Sequence, residues 1–292
     1  MASFYPMNFK KSLVTRVPGI TGLSRLCRRL TSFTPGVRVV NYHSTPLAFA
    51  DQFEKQLRYY SKNYRAIDKR ELDAFLQHKL MPSRRTGIIL TFDDGLRDNF
   101  EVAVPLLEKY GFQGWFFVPS GFVNCHAELQ EEYARSHSIR AFSSYPDKRI
   151  SISGEELRKL TVRHVVGCHS ASHRHLSSDL APGDLEAEIC TAKSEIEFIL
   201  QREVDSFCWV GGAERSYSAG AARLIRKCGY RYAFMTNSSL VRPGMSPLHI
   251  QRTNIEASWP LKVVEFQLSG IVDLLYHRKK LRVNRMTKEV LQ

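Results

Sequence analysis

The stretch Gly87-Ile88-Ile89-Leu90-Thr91-Phe92-Asp93-Asp94-Gly95 joins a run of mostly apolar residues to two adjacent carboxylates. A continuous apolar run of this length is typical of a strand that is buried on both faces of a sheet. Because side chains alternate along an extended backbone, Asp93 and Asp94 are expected to point in different directions and to do different work. Gly95 allows the backbone to turn sharply behind them.

A pair of histidines forms a second motif further along the chain, in His169-Ser170-Ala171-Ser172-His173. Taken alone, an Asp-Asp-Gly stretch most often forms a turn or a helix cap, and an isolated histidine pair most often lies on the surface. One carboxylate and two neutral imidazoles together leave a divalent ion with open coordination positions, which is the arrangement of a catalytic site. The two motifs together therefore predict a metal-dependent hydrolase.

Short apolar runs alternate with longer amphipathic stretches along the chain, which is the pattern of an α/β fold. Both motifs follow predicted strands, and barrel enzymes carry their chemistry at the carboxyl ends of strands. Residues 122–150 interrupt the alternation and are interpreted as an irregular insertion. The predicted strands are 37–42, 87–92, 115–118, 164–168, 206–210 and 232–235, and the predicted helices are 53–60, 99–110, 153–160, 182–200 and 219–228.

The net charge of +13 on 292 residues is concentrated at the two ends of the chain. Residues 1–30 contain six basic and no acidic residues, and residues 277–292 contain six basic residues and Glu289. The nearly neutral body between them argues against a nucleic-acid groove. Because the basic ends also contain apolar residues, we consider peripheral contact with an anionic membrane surface, solvated tails, and an anionic partner of another kind.

The six cysteines are scattered singly, without the spacing of a disulfide framework or a zinc knuckle, which favours a reducing compartment. Basic residues interrupt the apolar ones in residues 1–30, so no export signal is evident, and no apolar run is long enough to span a membrane. We therefore expect a cytoplasmic protein, peripheral at the inner membrane face if its ends bind lipid. The predicted division is a basic extension over 1–34, one catalytic domain over 35–256 and a basic helical tail over 257–292.

From residue 37 to residue 254 the chain resembles a polysaccharide deacetylase of the NodB-homology type, a family that removes acetyl groups from N-acetylated sugars. Residues 91–100, which begin Thr91-Phe92-Asp93-Asp94-Gly95, match the first motif of that family, and residues 167–176 match the second. Residues 185–189 and 207–212 resemble the next helix and loop of the family. The resemblance implies a single domain folded as a distorted (β/α)7 barrel, with a divalent metal that is usually zinc.

The resemblance assigns the general base to Asp93 and the metal ligands to Asp94, His169 and His173. The residues themselves suggest the same division of labour, and a backbone N–H in the loop 209–211 is expected to help hold the tetrahedral oxyanion.

The general acid must come from another histidine. Most of the family uses a late Leu-x-His motif, which makes His249 one candidate. Tyr42-His43 resembles the early histidine of those deacetylases of poly-N-acetylglucosamine whose motif order is rearranged, and His43 is therefore the leading candidate. His175 lies close to the metal motif in sequence, but it is interpreted as a loop residue.

The third motif departs from the family pattern, because Val210 stands where a proline is usual and no arginine precedes Phe207 to brace Asp93. A charged residue from elsewhere is expected to replace that arginine. Arg252 is compatible with bracing, with a structural ion pair and with substrate binding, and Trp209 is compatible with stacking on a sugar ring and with core packing. The candidate braces are Arg97, Asp98 and Arg252.

The predicted activity is that of a metal-dependent N-deacetylase acting on an N-acetylated sugar in a polysaccharide, a lipid-linked glycan or a sugar precursor. Asp93 is expected to take a proton from the metal-activated water, and His43 to protonate the departing amine. Two alternatives are an inactive sugar-binding or membrane-surface scaffold with the same fold, and a hydrolase of another non-peptide amide. No nucleic-acid partner is expected.

Overall fold

The computed structural model describes residues 36–78 and 85–288. Its centre is a parallel sheet in which the first and third strands pair with each other, so that seven strands close into a barrel. The short second strand pairs with the start of the third, beside the closed ring. The strands are β1 (Val37–Tyr42), β2 (Arg65–Ala66), β3 (Gly87–Phe92), β4 (Gly114–Val118), β5 (Val165–Cys168), β6 (Ser206–Cys208), β7 (Tyr232–Met235) and β8 (Ile250–Asn254).

Helices connect the strands and surround the barrel, which confirms the predicted (β/α)7 fold. Two of the predicted helices contain a π-helical turn, at Asn99–Ala103 before α3 and at Ala187–Thr191 between α7 and α8. The helices are α1 (Ala50–Asn63), α2 (Lys69–Leu76), α3 (Val104–Lys109), α4 (Ser120–Val123), α5 (Gln130–Ser136), α6 (Gly154–Leu160), α7 (Pro182–Glu186), α8 (Ala192–Leu200), α9 (Ala219–Lys227), α10 (Leu261–Gln267) and α11 (Ile271–Lys288).

The alternation of side chains along the strands produces two apolar layers. In β3, Leu90 and Phe92 belong to the layer between barrel and helices, whereas Ile89 belongs to the layer inside the barrel. Helix α2 supplies Leu72 and Phe75 to the inner layer, where they close the amino end of the barrel. Apolar packing therefore fills the amino end and the middle, and polar side chains collect at the carboxyl end.

The region predicted as an irregular insertion begins at the end of α4 and contains helix α5 and a 3-10 turn at Ala127–Leu129. Its aromatic and aliphatic residues Phe122, Ala134 and Ile139 form a small buried cluster with Leu96. The insertion is thus packed against the segment that follows the Asp-Asp-Gly turn.

The expectation that the cysteines stay unpaired is wrong for Cys190 and Cys228, which form a disulfide with their Cα atoms 5.6 Å apart. These residues are distant in sequence, so no short spacing reveals them. They meet because the π-helical turn before α8 packs against α9.

The segment predicted as a C-terminal tail folds back onto the barrel as far as residue 288, with α10 packed on α1 and α11 packed on α9. In α11, Asp273 forms an ion pair with the buried Arg38 (2.8 Å), and Val283 is completely buried. The predicted extension over 1–34 lies outside the described residues. No helix in the described ranges has the length and apolar composition needed to cross a membrane.

Candidate active site

The strand register brings the predicted catalytic residues to the carboxyl end of the barrel. Tyr42 of β1 pairs with Phe92 of β3, so His43 and Asp93 are the next residues on two adjacent strands. The backbone N–H of Asp93 continues the ladder by donating to the carbonyl of Tyr42 (2.9 Å). The N–H of His169 donates in the same way to the last residue of β4 (2.9 Å). One end of the barrel therefore gathers both sequence motifs and His43.

Asp94 leaves the strand through a left-handed backbone conformation, with φ of +73°, and Gly95 follows at +65°. A Cβ atom on Gly95 would lie 2.9 Å from the side chain of Val118, which disfavours any other residue there. The turn directs the Asp94 carboxylate towards the histidine motif. Its Oδ1 lies 3.1 Å from Nε2 of His173 and 3.6 Å from Nε2 of His169. Left-handed backbone at a non-glycine residue is strained, and such strain concentrates at functional sites.

Both histidines have one ring nitrogen occupied and the other directed at Asp94. Nδ1 of His169 lies 2.9 Å from the carbonyl oxygen of Cys208, and Nδ1 of His173 lies 2.7 Å from that of His137. Because a carbonyl oxygen only accepts, each Nδ1 carries the proton and each Nε2 keeps its lone pair.

The three side chains fit a divalent cation. Their ligand atoms lie within 4.8 Å of one another, and among the described residues the buried Oδ1 of Asp94 has no hydrogen-bond donor. An unpaired buried carboxylate oxygen is costly unless a cation or a donor satisfies it. Two oriented imidazoles and one carboxylate are a donor set that suits zinc, with positions left for water and substrate.

Electrostatics favour the ligating protonation state of Asp94 and of His169, whereas the carboxylate of Asp94 favours the protonated form of His173. Burial raises the pKa of Asp94, but the neighbouring His173 lowers it well below the usual range. Burial lowers the pKa of His169 to about 4, so its imidazole is neutral at neutral pH. Burial lowers the pKa of His173, but the Asp94 carboxylate raises it by more, so the net change is upward. A cation bound to both rings would oppose their protonation.

Asp93 is held by a two-pronged contact from Arg252. Nη1 of the guanidinium lies 2.6 Å from Oδ1 and Nη2 lies 2.8 Å from Oδ2, and Nη1 also donates to the hydroxyl of Thr91 (3.0 Å). Burial raises the pKa of Asp93, but the charge of Arg252 lowers it below the ordinary value. Asp93 is therefore an oriented, ionised carboxylate beside the candidate metal ligands.

The thiol of Cys208 also contacts Asp93, with Sγ 3.6 Å from Oδ1. Burial raises the pKa of this thiol well above its ordinary value, so it is a neutral donor to the carboxylate. Among the three predicted braces, Arg252 contacts Asp93, whereas Arg97 pairs with acidic residues away from the site.

His43 stands at the mouth of the barrel with 36% of its side chain exposed and Nδ1 3.7 Å from Oε1 of Glu256. Burial lowers the pKa of His43, but the accepting carboxylate of Glu256 and the charge of Asp94 raise it to about 10. Glu256 was not singled out in the sequence. It reaches His43 because β8 pairs with β1 through Asn41 and Asn254, so both residues leave neighbouring strands at the same level.

Asp98, proposed from sequence as a brace for Asp93, instead fixes the loop that follows His43. Its carboxylate accepts hydrogen bonds from the hydroxyl of Ser44 and from the backbone N–H of Thr45 (3.1 Å). The hydroxyl of Ser143, in the insertion, donates to the same carboxylate (3.1 Å). The expectation that Asp98 braces Asp93 is therefore wrong.

Glu188 fixes the loop that carries the histidine motif. Its carboxylate accepts the backbone N–H groups of Ala171 (3.0 Å) and Ser172 (2.9 Å) and the hydroxyl of Ser172. These contacts hold a loop in which Ser170 and His173 both have left-handed backbone. Glu188 belongs to the family-like segment 185–189, but its role in the site was not predicted from the sequence.

The structure buries both residues for which a substrate-binding role was predicted, Trp209 and Arg252. Each side chain is only 1% exposed, Trp209 because it packs against Tyr217 in the core and Arg252 because it lies behind Asp93. His249 is excluded as the acid, since it precedes β8 at the amino end of the barrel and contacts the hydroxyl of Thr287 (2.9 Å). Burial lowers the pKa of His249 to about 4.

An open groove of about 570 Å³ begins at His173 and runs along the loop after it. Its lining is mainly polar, with imidazole, hydroxyl and charged side chains. These include His137, Arg174, His175, Ser177 and Asp179.

Known proteins resemble this chain in sequence and in fold. The sequence profile of the polysaccharide deacetylase family matches residues 81–233. A putative polysaccharide deacetylase, YxkH, from Bacillus subtilis (strain 168) is 21% identical over 206 residues, which is 70% of this chain. The chain spans 64% of the length of that relative.

Two solved structures share the fold. The deacetylase PplD of Streptococcus pyogenes, in complex with acetate, superposes with a TM-score of 0.61 at 19% identity over 80% of this chain and 99% of its own. IcaB from Ammonifex degensii superposes with a TM-score of 0.58 at 19% identity over 82% of this chain and 97% of its own. The profile match covers more than half of the chain and includes both catalytic motifs. The chain therefore belongs to the polysaccharide deacetylase family.

Proposed function

We propose that this protein is a metal-dependent N-deacetylase that hydrolyses the acetamide of an N-acetylated sugar within a glycan. The observation that supports it best is the convergence of Asp94, His169 and His173 on one point, beside an ionised Asp93 and opposite His43. Zinc is the cation that this nitrogen-rich donor set suits best.

The side chains divide the reaction between them. A divalent cation held by the three ligands would activate water and polarise the acetamide carbonyl. Asp93 accepts the proton of the attacking water, while Arg252 keeps its carboxylate ionised and correctly oriented. His43, positively charged beside Glu256, donates a proton to the amine nitrogen as the carbon–nitrogen bond breaks.

The groove at His173 supports a glycan substrate rather than a small isolated amide. It is open and polar and includes the candidate metal ligand His173, and its serine, histidine and aspartate side chains suit sugar hydroxyl groups.

A mass-spectrometric assay with metal-loaded protein tests this function. The substrates are N-acetylglucosamine oligomers, a nucleotide-linked N-acetyl sugar and a lipid-linked N-acetylated glycan. We expect a product that has exchanged one acetyl group for hydrogen, with equimolar acetate. Asp93→Asn should reduce the rate at least about 10²-fold, because general-base catalysis typically contributes that much.

Asp51→Asn is the matched control, since it makes the same change on the exposed first turn of α1 and should leave the rate unchanged. Sugar binding without product in any substrate class would favour the inactive scaffold. Release of acetate only from an amide that is not a sugar would favour the other hydrolase. Full activity in Asp93→Asn would refute the assigned base.

A further inference from the structure

The outward face of α11 has no partner among the described residues and carries large apolar side chains. Leu274 is 76% exposed, Leu275 67% and Leu281 50%. The opposite face of the helix is anchored by Val272, Val283 and Thr287, all of which are buried. The three leucines therefore stay in water while the helix itself is fixed on the barrel.

Basic side chains alternate with these leucines. Leu274, Arg278, Leu281 and Arg285 follow one another at spacings of four, three and four residues, which places them on one stripe of the helix. Lys288 extends the basic face at the end of the helix, and Arg282 flanks it.

The charges on this face are mostly unneutralised within the described part of the chain. No hydrogen bond or ion pair there engages Arg278, Arg285 or Lys288, whereas Arg282 pairs with Glu214 (2.9 Å). The acidic residue of the helix, Asp273, is turned to the barrel side and pairs with Arg38. The outward face is therefore both apolar and positively charged.

We propose that this face of α11 is a docking surface for an anionic phospholipid bilayer. Leucines that alternate with arginines on a helix lying along a surface match the interface of acyl chains and headgroups. Anionic headgroups supply the countercharge that the protein itself leaves unsupplied.

Other occupants fit this face less well. Residues 1–30 contain six basic and no acidic residues, so they would repel it. A second copy of a chain with a net charge of +13 would bring like charge to like charge. A nucleic acid would pair with the arginines but leave the leucines exposed to water.

The proposal does not depend on the deacetylase activity, because the face is formed by residues that take no part in the candidate active site. A vesicle co-sedimentation assay with the full chain tests it. The probes are phosphatidylcholine vesicles with and without phosphatidylglycerol, and single-stranded RNA in a parallel binding assay. We expect binding to the anionic vesicles that weakens as salt concentration rises.

Two double variants separate the apolar and the charged contributions. Leu274→Glu with Leu281→Glu, and Arg278→Gln with Arg285→Gln, should each lower the vesicle partition coefficient about tenfold or more. Val162→Glu with Phe198→Glu is the matched control, since these side chains are 82% and 78% exposed on other surfaces. The control adds the same two negative charges as the leucine variant, so it measures the effect of that charge alone. Apart from that effect, the control should bind vesicles as the wild type does.

Two results would overturn the proposal. One is equal partitioning of the wild type and the leucine variant, which would assign binding to another part of the chain. The other is tight RNA binding without vesicle binding. Deacetylation of a soluble oligosaccharide should be the same in all these variants, so failure of the docking surface and failure of the proposed activity are distinguishable.

Discussion

Two acidic residues determine where His43 stands. Glu256 lies 3.7 Å from its Nδ1, and Asp98 holds the next two residues of its loop. The sequence pointed to His43 through the Tyr42-His43 pair, but it gave no direct sign of the contact with Glu256, which depends on the pairing of the first and last strands. The contact between His43 and Glu256 is therefore evident only in the closed barrel.

Replacing His43 separates proton donation from the rest of the reaction. We expect His43→Gln to lower kcat for an N-acetylated oligosaccharide about 10²- to 10³-fold, within the usual contribution of a general acid. Hydrolysis of a nitrophenyl acetate should fall much less, because nitrophenolate leaves without protonation. Steady-state kinetics on the two substrates measure the difference. Glu256→Gln should show a smaller loss of the same pattern, and equal losses on both substrates would contradict the role of His43.

For Arg252, the sequence offered the correct residue but could not choose it among several candidates. The missing arginine of the third motif was evident in the sequence, and Arg252 was among three candidate replacements. Only the fold selects it, because Arg252 and Asp93 lie on strands that are separated by β1 and meet inside the barrel. The same contact occupies the guanidinium for which the sequence also allowed substrate binding.

Removing Arg252 should change the pH dependence of catalysis. The guanidinium lowers the pKa of Asp93, so Arg252→Gln should raise that pKa and move the acidic limb of the kcat/KM profile to higher pH. Arg252→Lys keeps the charge and loses the two-pronged geometry, so its limb should move less while kcat falls. Profiles from pH 5 to 9 measure the shift, with thermal unfolding as the check on folding. An unchanged acidic limb in Arg252→Gln would show that Asp93 is not the titrating base.

At the scale of elements, sequence patterns located most of the strands that build the site. Mostly apolar runs identified both ends of β1 and of β3 correctly. Every residue of these two strands is buried, so the apolar run and the strand have the same limits. Helix α2 was missed, although Asp68 and Glu71 form a readable capping box at its start. The pairing of Cys190 with Cys228 had no local signal at all.

The disulfide gives a prediction for element packing. It closes a loop of 38 residues, for which the loss of unfolded-chain entropy corresponds to about 4 kcal/mol. Cys190→Ser and Cys228→Ser should each lower the free energy of unfolding by up to that amount, and reductant should destabilise the wild type but neither of these two variants. Denaturant unfolding with and without dithiothreitol measures it. Cys125→Ser is the control, because Cys125 is unpaired. Alkylation of both Cys190 and Cys228 in the unreduced protein would contradict the disulfide.

For the molecule as a whole, the sequence predicted the barrel because both motifs follow strands and the chain alternates between strands and helices. It did not predict that residues 257–288 pack on the barrel. A helix rich in basic residues is normally expected to be solvated, and the few residues that bury one face of this helix were not recognised in the sequence. Val272, Val283 and Thr287 form that buried face. The charge of the chain therefore lies partly on a fixed surface and not only on extensions.

For the whole molecule, we propose that one divalent cation held by Asp94, His169 and His173 makes this barrel a hydrolase. The direct test is a titration of the chelator-stripped protein with zinc, followed by acetate release from an N-acetylglucosamine oligomer at each addition. We expect activity to rise linearly and to stop at one cation per chain, and His173→Gln to remove the rise. Full activity before any cation is added, or the same titration curve in His173→Gln, would contradict it.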